Sequence, residues 1–183
     1  MTSKPQQEFP MTKKDYVGEL ERGREALLAA TANLSPEGLV ARPQPDRWSA
    51  LEILYHLNLA ETRIAGSLAA VIASGQRHEP KDDEYLRGEW EQIRRVLDDR
   101  EAKFKAPPAV HPVNAASLEE ATALLAQSRQ ALLDLVQAQS LDDMASISMP
   151  HPAPSIGLIT VRGWLTIIAG HDYRHLEQIR AFV

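Results

Sequence analysis

The chain has 183 residues, 44% of them hydrophobic, with 20 basic and 25 acidic side chains and a formal net charge of −5. That is enough apolar material for one ordinary domain and argues against wholesale disorder. It also gives nucleic acid no reason to bind, because no dense Lys/Arg cluster with interleaved aromatics occurs. Cysteine is absent, which excludes disulfides, thiolate nucleophiles and cysteine-based zinc sites. Any metal must use His, Asp, Glu, water or backbone oxygen.

Residues 1–11 read as a flexible leader, polar and interrupted by proline, without the apolar stretch of a signal peptide. No apolar run approaches the roughly 20 residues that a membrane span needs. The expectation is a cytoplasmic protein with no membrane partner and a single domain over 12–183. A first helix starts near Thr12, with Asp15 and Glu19 close to its start and Tyr16, Leu20, Leu27 and Leu28 tracing its apolar side. Ser35-Pro36 closes or re-nucleates it, and Pro43 and Pro45 break the chain. Ser49-Ala50-Leu51-Glu52 is a capping box, preceded by Trp48 and followed by Ile53 at the position that staples to it. It opens a helix that runs to about Gly75.

Residues 84–104 predict a further helix, charged on most faces, with Leu86, Trp90, Ile93 and Leu97 as its apolar stripe. The segment 105–116 contains Pro107, Pro108 and Pro112 and reads as a loop. Ser117-Leu118-Glu119-Glu120 is a second capping box, opening a helix to about Gln139. The prolines and Gly157 of 140–159 make that stretch a long connection, with a weak strand pattern over Ser146–Met149. The last helix spans about Thr160 to Phe182. These elements predict an all-α fold: a four-helix bundle of long antiparallel helices, with a long crossover that contains an extra helix.

His171 and His175 are four residues apart, so they stack on one helix face that also carries Trp164, Ile168 and Ile179. Two imidazoles so placed can converge on one metal ion. Among six histidines in this length roughly 0.2 such pairs are expected by chance, so the pair alone is weak evidence. His56 adds to it. It lies on the helix opened by Ser49, among Ile53, Leu57 and Ile64, where an unpartnered imidazole is costly to bury. His78, His111 and His151 fall in proline-rich loops and are expected to be exposed, with His151 a candidate for the lip of the site. His171-Asp172-Tyr173-Arg174-His175 is close to the His-Glu-x-x-His of metalloproteases, but Asp172 is one methylene shorter than the general base of that motif.

Trp48-Ser49-Ala50-Leu51-Glu52-Ile53-Leu54-Tyr55-His56-Leu57 resembles the W-S-x-x-E-x-x-x-H-L signature of the DinB-like superfamily. This superfamily includes bacillithiol- and mycothiol-dependent enzymes. His171 through Ile179 resembles the family's closing H-x-x-x-H-x-x-Q-I, and Met149-Pro150-His151-Pro152 is similar to a less specific family stretch. The two strong motifs bracket about residues 12–183. The resemblance implies a DinB-like four-helix bundle, a divalent metal such as Zn or Ni held by His56, His171 and His175, and a homodimer. Glu177 before Gln178 departs from the family's usual Gly-Gln. Each ligand histidine should donate its second ring proton to a carboxylate or carbonyl. Glu52, Glu61, Asp172 and Glu177 are the carboxylates in reach, and spacing does not choose among them.

Three functions follow from the resemblance and the ligand set. The first is a metal-dependent transferase that adds a low-molecular-weight thiol to an electrophilic small molecule. The second is a metal-dependent hydrolase of a small substrate. The third is a non-enzymatic metal-binding stress-response module. A DNA-contacting role is disfavoured by the acidic balance.

Overall fold

In the computed structural model, which describes residues 8–99, 105–112 and 117–182, four long helices each begin at a side chain that accepts from their first unpaired amides. They are α1 (Lys13–Ala32), α3 (Ala50–Ala73), α5 (Leu118–Ala138) and α7 (Val161–Arg180), capped by Thr12, Ser49, Ser117 and Thr160. Such a cap is worth about 1 kcal/mol. The box at Ser49 is complete, with Glu52 reaching back to the Ser49 amide at 2.8 Å. At Ser117 the hydroxyl caps the Glu120 amide, while the Glu120 carboxylate takes the Tyr55 hydroxyl of α3 at 2.7 Å.

Ser35 re-nucleates a short α2 (Pro36–Val40). In the crossover lie α4 (Asp83–Asp98) and a 3-10 turn (Pro108–Val110). The expected helix over 84–104 therefore starts one residue earlier and ends at Asp98, and its last part, 100–104, lies outside the described residues. The connection 140–159 holds more order than its prolines suggest. It contains α6 (Leu141–Ser146) and an antiparallel hairpin of β1 (Ser148–Pro150) and β2 (Leu158–Thr160), with Met149 opposite Ile159. Of the leader, residues 1–7 lie outside the described residues. Phe9 is not loose: it is buried against Leu86, Ala145 and Trp90.

The four long helices form the expected bundle, but they are not all antiparallel. Tyr16 meets Arg162 and Gly23 meets Ala169 and Asp172, so α1 and α7 ascend together. Tyr55, Asn58 and Glu61 meet Glu120, Leu124 and Ser128, so α3 and α5 are also parallel. Between these pairs the sense reverses, since Leu20 and Arg24 meet Arg129 and Leu125. The order is up-down-down-up, with α1 packed on α7 and α5, and α3 on α5 and α7. Two parallel neighbours joined in sequence need a return path, and α4 lies in that path.

The core is layered along the bundle. One apolar cluster, including Leu20, Leu68, Leu132, Trp164 and Leu165, joins the hairpin to the helices. A second, including Leu27, Ile53, Leu54, Leu125, Leu176 and Ile179, fills the other end. α4 lies against α7 where glycine lets it approach: a Cβ on Gly163 would stand 2.7 Å from Glu89 Oε2 and 3.1 Å from Ile93. The Glu89 carboxylate accepts from the Thr160 amide and hydroxyl at 2.8 and 2.6 Å. Burial raises its carboxyl above the usual range, against those two bonds, which lower it. Gly163→Ala is expected to push this carboxylate off Thr160 and to cost about 1–3 kcal/mol, read as a lower midpoint in urea unfolding.

Candidate metal centre

His56 lies on the second turn of α3, and His171 and His175 lie one turn apart on α7. The capping box at Ser49 fixes the start of α3, and with it the face on which His56 falls. The Nε2 atoms converge. His171 Nε2 is 3.0 Å from that of His175 and 3.3 Å from that of His56. One nitrogen from each of the three rings falls within 4.8 Å of the others. A tetrahedral ion with metal–nitrogen bonds of about 2.0–2.1 Å places its ligand atoms about 3.3 Å apart, so the observed spacing suits one.

The opposite ring nitrogens of two of the histidines face oxygen acceptors. His56 Nδ1 is 2.8 Å from the Val110 carbonyl, and His175 Nδ1 is 2.8 Å from Gln178 Oε1. Both acceptors require an N–H, so both Nε2 atoms carry lone pairs directed at His171. At most one of those lone pairs can receive a proton from His171. Three donors so crowded fit a cation better than they fit one another, and His56, His171 and His175 are able to hold a divalent ion.

The acceptors differ from those expected. None of the four carboxylates takes a ring proton of His56 or His175. Glu52 completes the cap and pairs with Arg42. Glu177 pairs with Arg180 at 2.9 Å. Glu61 and Asp172 enter a buried ion cluster with Arg24 and Arg129. Asp172 therefore points away from the triad and is not placed as a metalloprotease base. Val110 is a backbone acceptor on the crossover turn, for which side-chain patterns hold no signal. Gln178 belongs to the closing motif, and its neutral amide side chain carries no signal in sequence that it accepts from a histidine.

The loop histidines stand apart. His111 is exposed, with Nε2 2.9 Å from the Ala106 carbonyl, and its ring meets Trp48 edge-on at 5.8 Å. Trp48 also lies against His56, ring centres 4.6 Å apart, so the residue before the cap shields one of the three histidines. His78 is half-buried on the Ser148 hydroxyl at 2.8 Å. His151 is half-buried on Trp164, two turns before His171, and does not form the lip of the site. The 140–159 connection likewise packs on the start of α7, and the turn that reaches the triad comes from 105–112.

Burial favours the neutral form of all three histidines. His175 is pushed down to about 3, chiefly by desolvation and then by His56. His171 lies well below its ordinary value for the same reason, with His175 and His56 adding to it. Burial also lowers His56, against the Val110 bond, which raises it. In the unfolded chain these groups titrate near 6.5. Between that pH and about 3 the unfolded chain therefore binds more protons, and stability falls as pH falls. Chelator-treated protein is expected to lose up to about 1.4 kcal/mol per pH unit for each histidine held neutral, measured by urea unfolding at pH 7, 6 and 5.

A helical bundle whose core-facing histidines form a three-nitrogen cluster belongs to the class of bundle proteins with a potential metal centre. The DinB superfamily profile matches residues 19–179, and this chain belongs to the DinB superfamily. It is 27% identical over 154 residues to YuaE of Bacillus subtilis (strain 168), an uncharacterized protein, covering 80% of this chain and 84% of YuaE. Among solved structures it is similar to TT2238, a four-helix bundle protein, with TM-score 0.58 and 27% identity over 93% of this chain and 99% of that one. It is also similar in fold to YfiT from Bacillus subtilis, described as a probable metal-dependent hydrolase with an unusual four-helix bundle topology. There the TM-score is 0.60 and the identity 13%, over 98% and 91% of the two chains.

Proposed function

We propose that this chain is a metal-dependent enzyme acting on a small molecule, with one divalent transition-metal ion on His56, His171 and His175. The observation that carries the reading is the convergence of three Nε2 atoms while the His56 and His175 ring protons are committed to Val110 and Gln178. A bound ion supplies Lewis acidity, polarising a substrate oxygen or lowering the pKa of a nucleophile. The chain's own part is to present three neutral donors from two rigid helices, to fix two ring planes through their acceptors, and to shield His56 with Trp48. Three protein ligands leave at least one coordination position for substrate, which is how catalytic sites differ from closed structural ones.

Hydrolysis is the reaction we assign first, supported by the activity given for YfiT. Transfer of a low-molecular-weight thiol is the second reading, supported by the resemblance of the two histidine motifs to thiol-dependent enzymes. Metal content by elemental analysis, on protein purified without tag or chelator, tests the centre. About one ion per chain, lost in His56→Ala, is the expected result. A wild type still empty after incubation with Zn²⁺, Ni²⁺ and Mn²⁺ overturns it. Turnover of ester and amide panels without added thiol then supports hydrolysis. Consumption of an electrophile only when thiol is present supports transfer.

A further inference from the structure

Arg24, Glu61, Arg129 and Asp172 come one from each long helix and are 7%, 3%, 7% and 1% exposed. Their charges cancel. The two carboxylates sit on α3 and α7, the helices that carry the three histidines, and the two arginines sit on α1 and α5. Arg24 donates to Glu61 at 2.9 Å and to Asp172 at 3.1 and 3.2 Å. Arg129 donates to Glu61 at 2.7 Å and to Asp172 at 2.8 Å. Each arginine also holds a backbone carbonyl of the other's helix, Arg24 that of Leu125 and Arg129 that of Leu20. Ser128 donates to Glu61 at 3.0 Å.

Hydrophobic side chains of similar volume often stabilise a core as well as, or better than, a buried ion network. What such a network adds is register, because guanidinium forks accept carboxylates only in matched planar geometry. Register matters here. A helix that slides by one turn moves about 5.4 Å, further than the whole spread of the converging nitrogens. His171 is the neighbour of Asp172 in sequence, and Glu61 lies five residues beyond His56. Apolar contacts between α3 and α7 tolerate sliding, whereas ionic forks do not.

We propose that Glu61 and Asp172, clamped by Arg24 and Arg129, are positioning residues that set the register of α3 against α7 and so bring His56 onto His171 and His175. The proposal rests on the metal reading above. No hydrogen bond joins the quartet to the rings of His56, His171 and His175. It acts on the ion through where the two histidine-bearing helices stand.

The test is Co²⁺ binding, followed by titration and by the visible absorption of the bound ion, whose intensity and band positions report coordination geometry. The wild type is compared with a variant carrying Arg24→Met, Glu61→Leu, Arg129→Met and Asp172→Leu, which removes the charges without stranding any. The variant is expected to keep its helical circular dichroism and a cooperative melt, to bind Co²⁺ about 10–100-fold more weakly, and to show an altered spectrum. Wild-type affinity together with a wild-type spectrum in the folded variant overturns the proposal and leaves the quartet a purely structural element. Should the quadruple variant fail to fold, Arg129→Lys keeps the charge and loses the fork. Read below its melting temperature, it is expected to show the same weakening and spectral change, and an unchanged site there overturns the proposal too. A wild type that takes up no Co²⁺ is a different outcome, and it removes the metal reading itself.

Discussion

Replacing His171 with alanine is expected to abolish any rise in stability that a divalent ion produces through the proposed centre. An ion that binds only the folded chain raises its stability with concentration, by about 4 kcal/mol at a thousand times Kd. For a chain of this size that lifts the melting temperature by roughly 10 °C. His171 stands between the other two ligands, 3.0 and 3.3 Å from their Nε2 atoms. Its loss leaves two donors on different helices with nothing between them. The metal-free variant, by contrast, should melt close to the metal-free wild type, because removing the middle ring relieves three crowded nitrogens. Thermal melts with Zn²⁺ and with chelator check both halves. An equal zinc-induced rise in wild type and variant would place the stabilising ion elsewhere.

Arg129→Met should destabilise the fold by about 3–5 kcal/mol, the usual result of removing one partner from a buried ion network, which lowers the melting temperature by roughly 10 °C. Two carboxylates then share Arg24 alone, and the Leu20 carbonyl loses its side-chain donor. Burial lowers the Arg129 guanidinium, but hydrogen bonds to Glu61 and the charge of Asp172 raise it above its ordinary value. Calorimetric melting of the chelated protein isolates this effect from metal binding. A loss below about 1 kcal/mol, typical of an exposed pair, would mean that water reaches the cluster.

The starts of the long helices could be read from sequence because a cap is a short-range signal, whereas the histidine cluster joins a local pair to His56 across 115 residues, a link that only the resemblance of the two motifs supplies. Ser49 and Glu52 are three residues apart, and His171 and His175 are four apart. The last helix reads from about Thr160 in sequence, but that Thr160 is its cap is shown only by the structure, where its hydroxyl accepts from the Gly163 amide. The ion quartet was not legible. Arg24 pairs with Asp172 across 148 residues, and in one dimension each member looks like a solvated charge on a helix. The acceptor for His56 is a backbone carbonyl, which every residue has, so nothing marks Val110 in particular. Glu89 was hidden similarly: it falls between Leu86 and Ile93 on a strongly charged helix, and only the approach of Gly163 shows that it is buried. The parallel pairings escaped notice because loop lengths fix which helices follow one another, not which lie side by side.

The up-down-down-up order also bears on how the chain folds. The first of the four long helices packs chiefly against the fourth, so its main partner is synthesised after the other three, and the candidate metal ligands span residues 56 to 175. Helical bundles are usually fast folders because most of their contacts are local. In this protein the decisive contacts close loops of more than a hundred residues. On a ribosome making about 5–20 residues per second, α1 waits several seconds or more for α7, its apolar face uncovered meanwhile. A chain stopped just short of α7 would lack the two histidines of the candidate site and the surface on which α1 comes to rest.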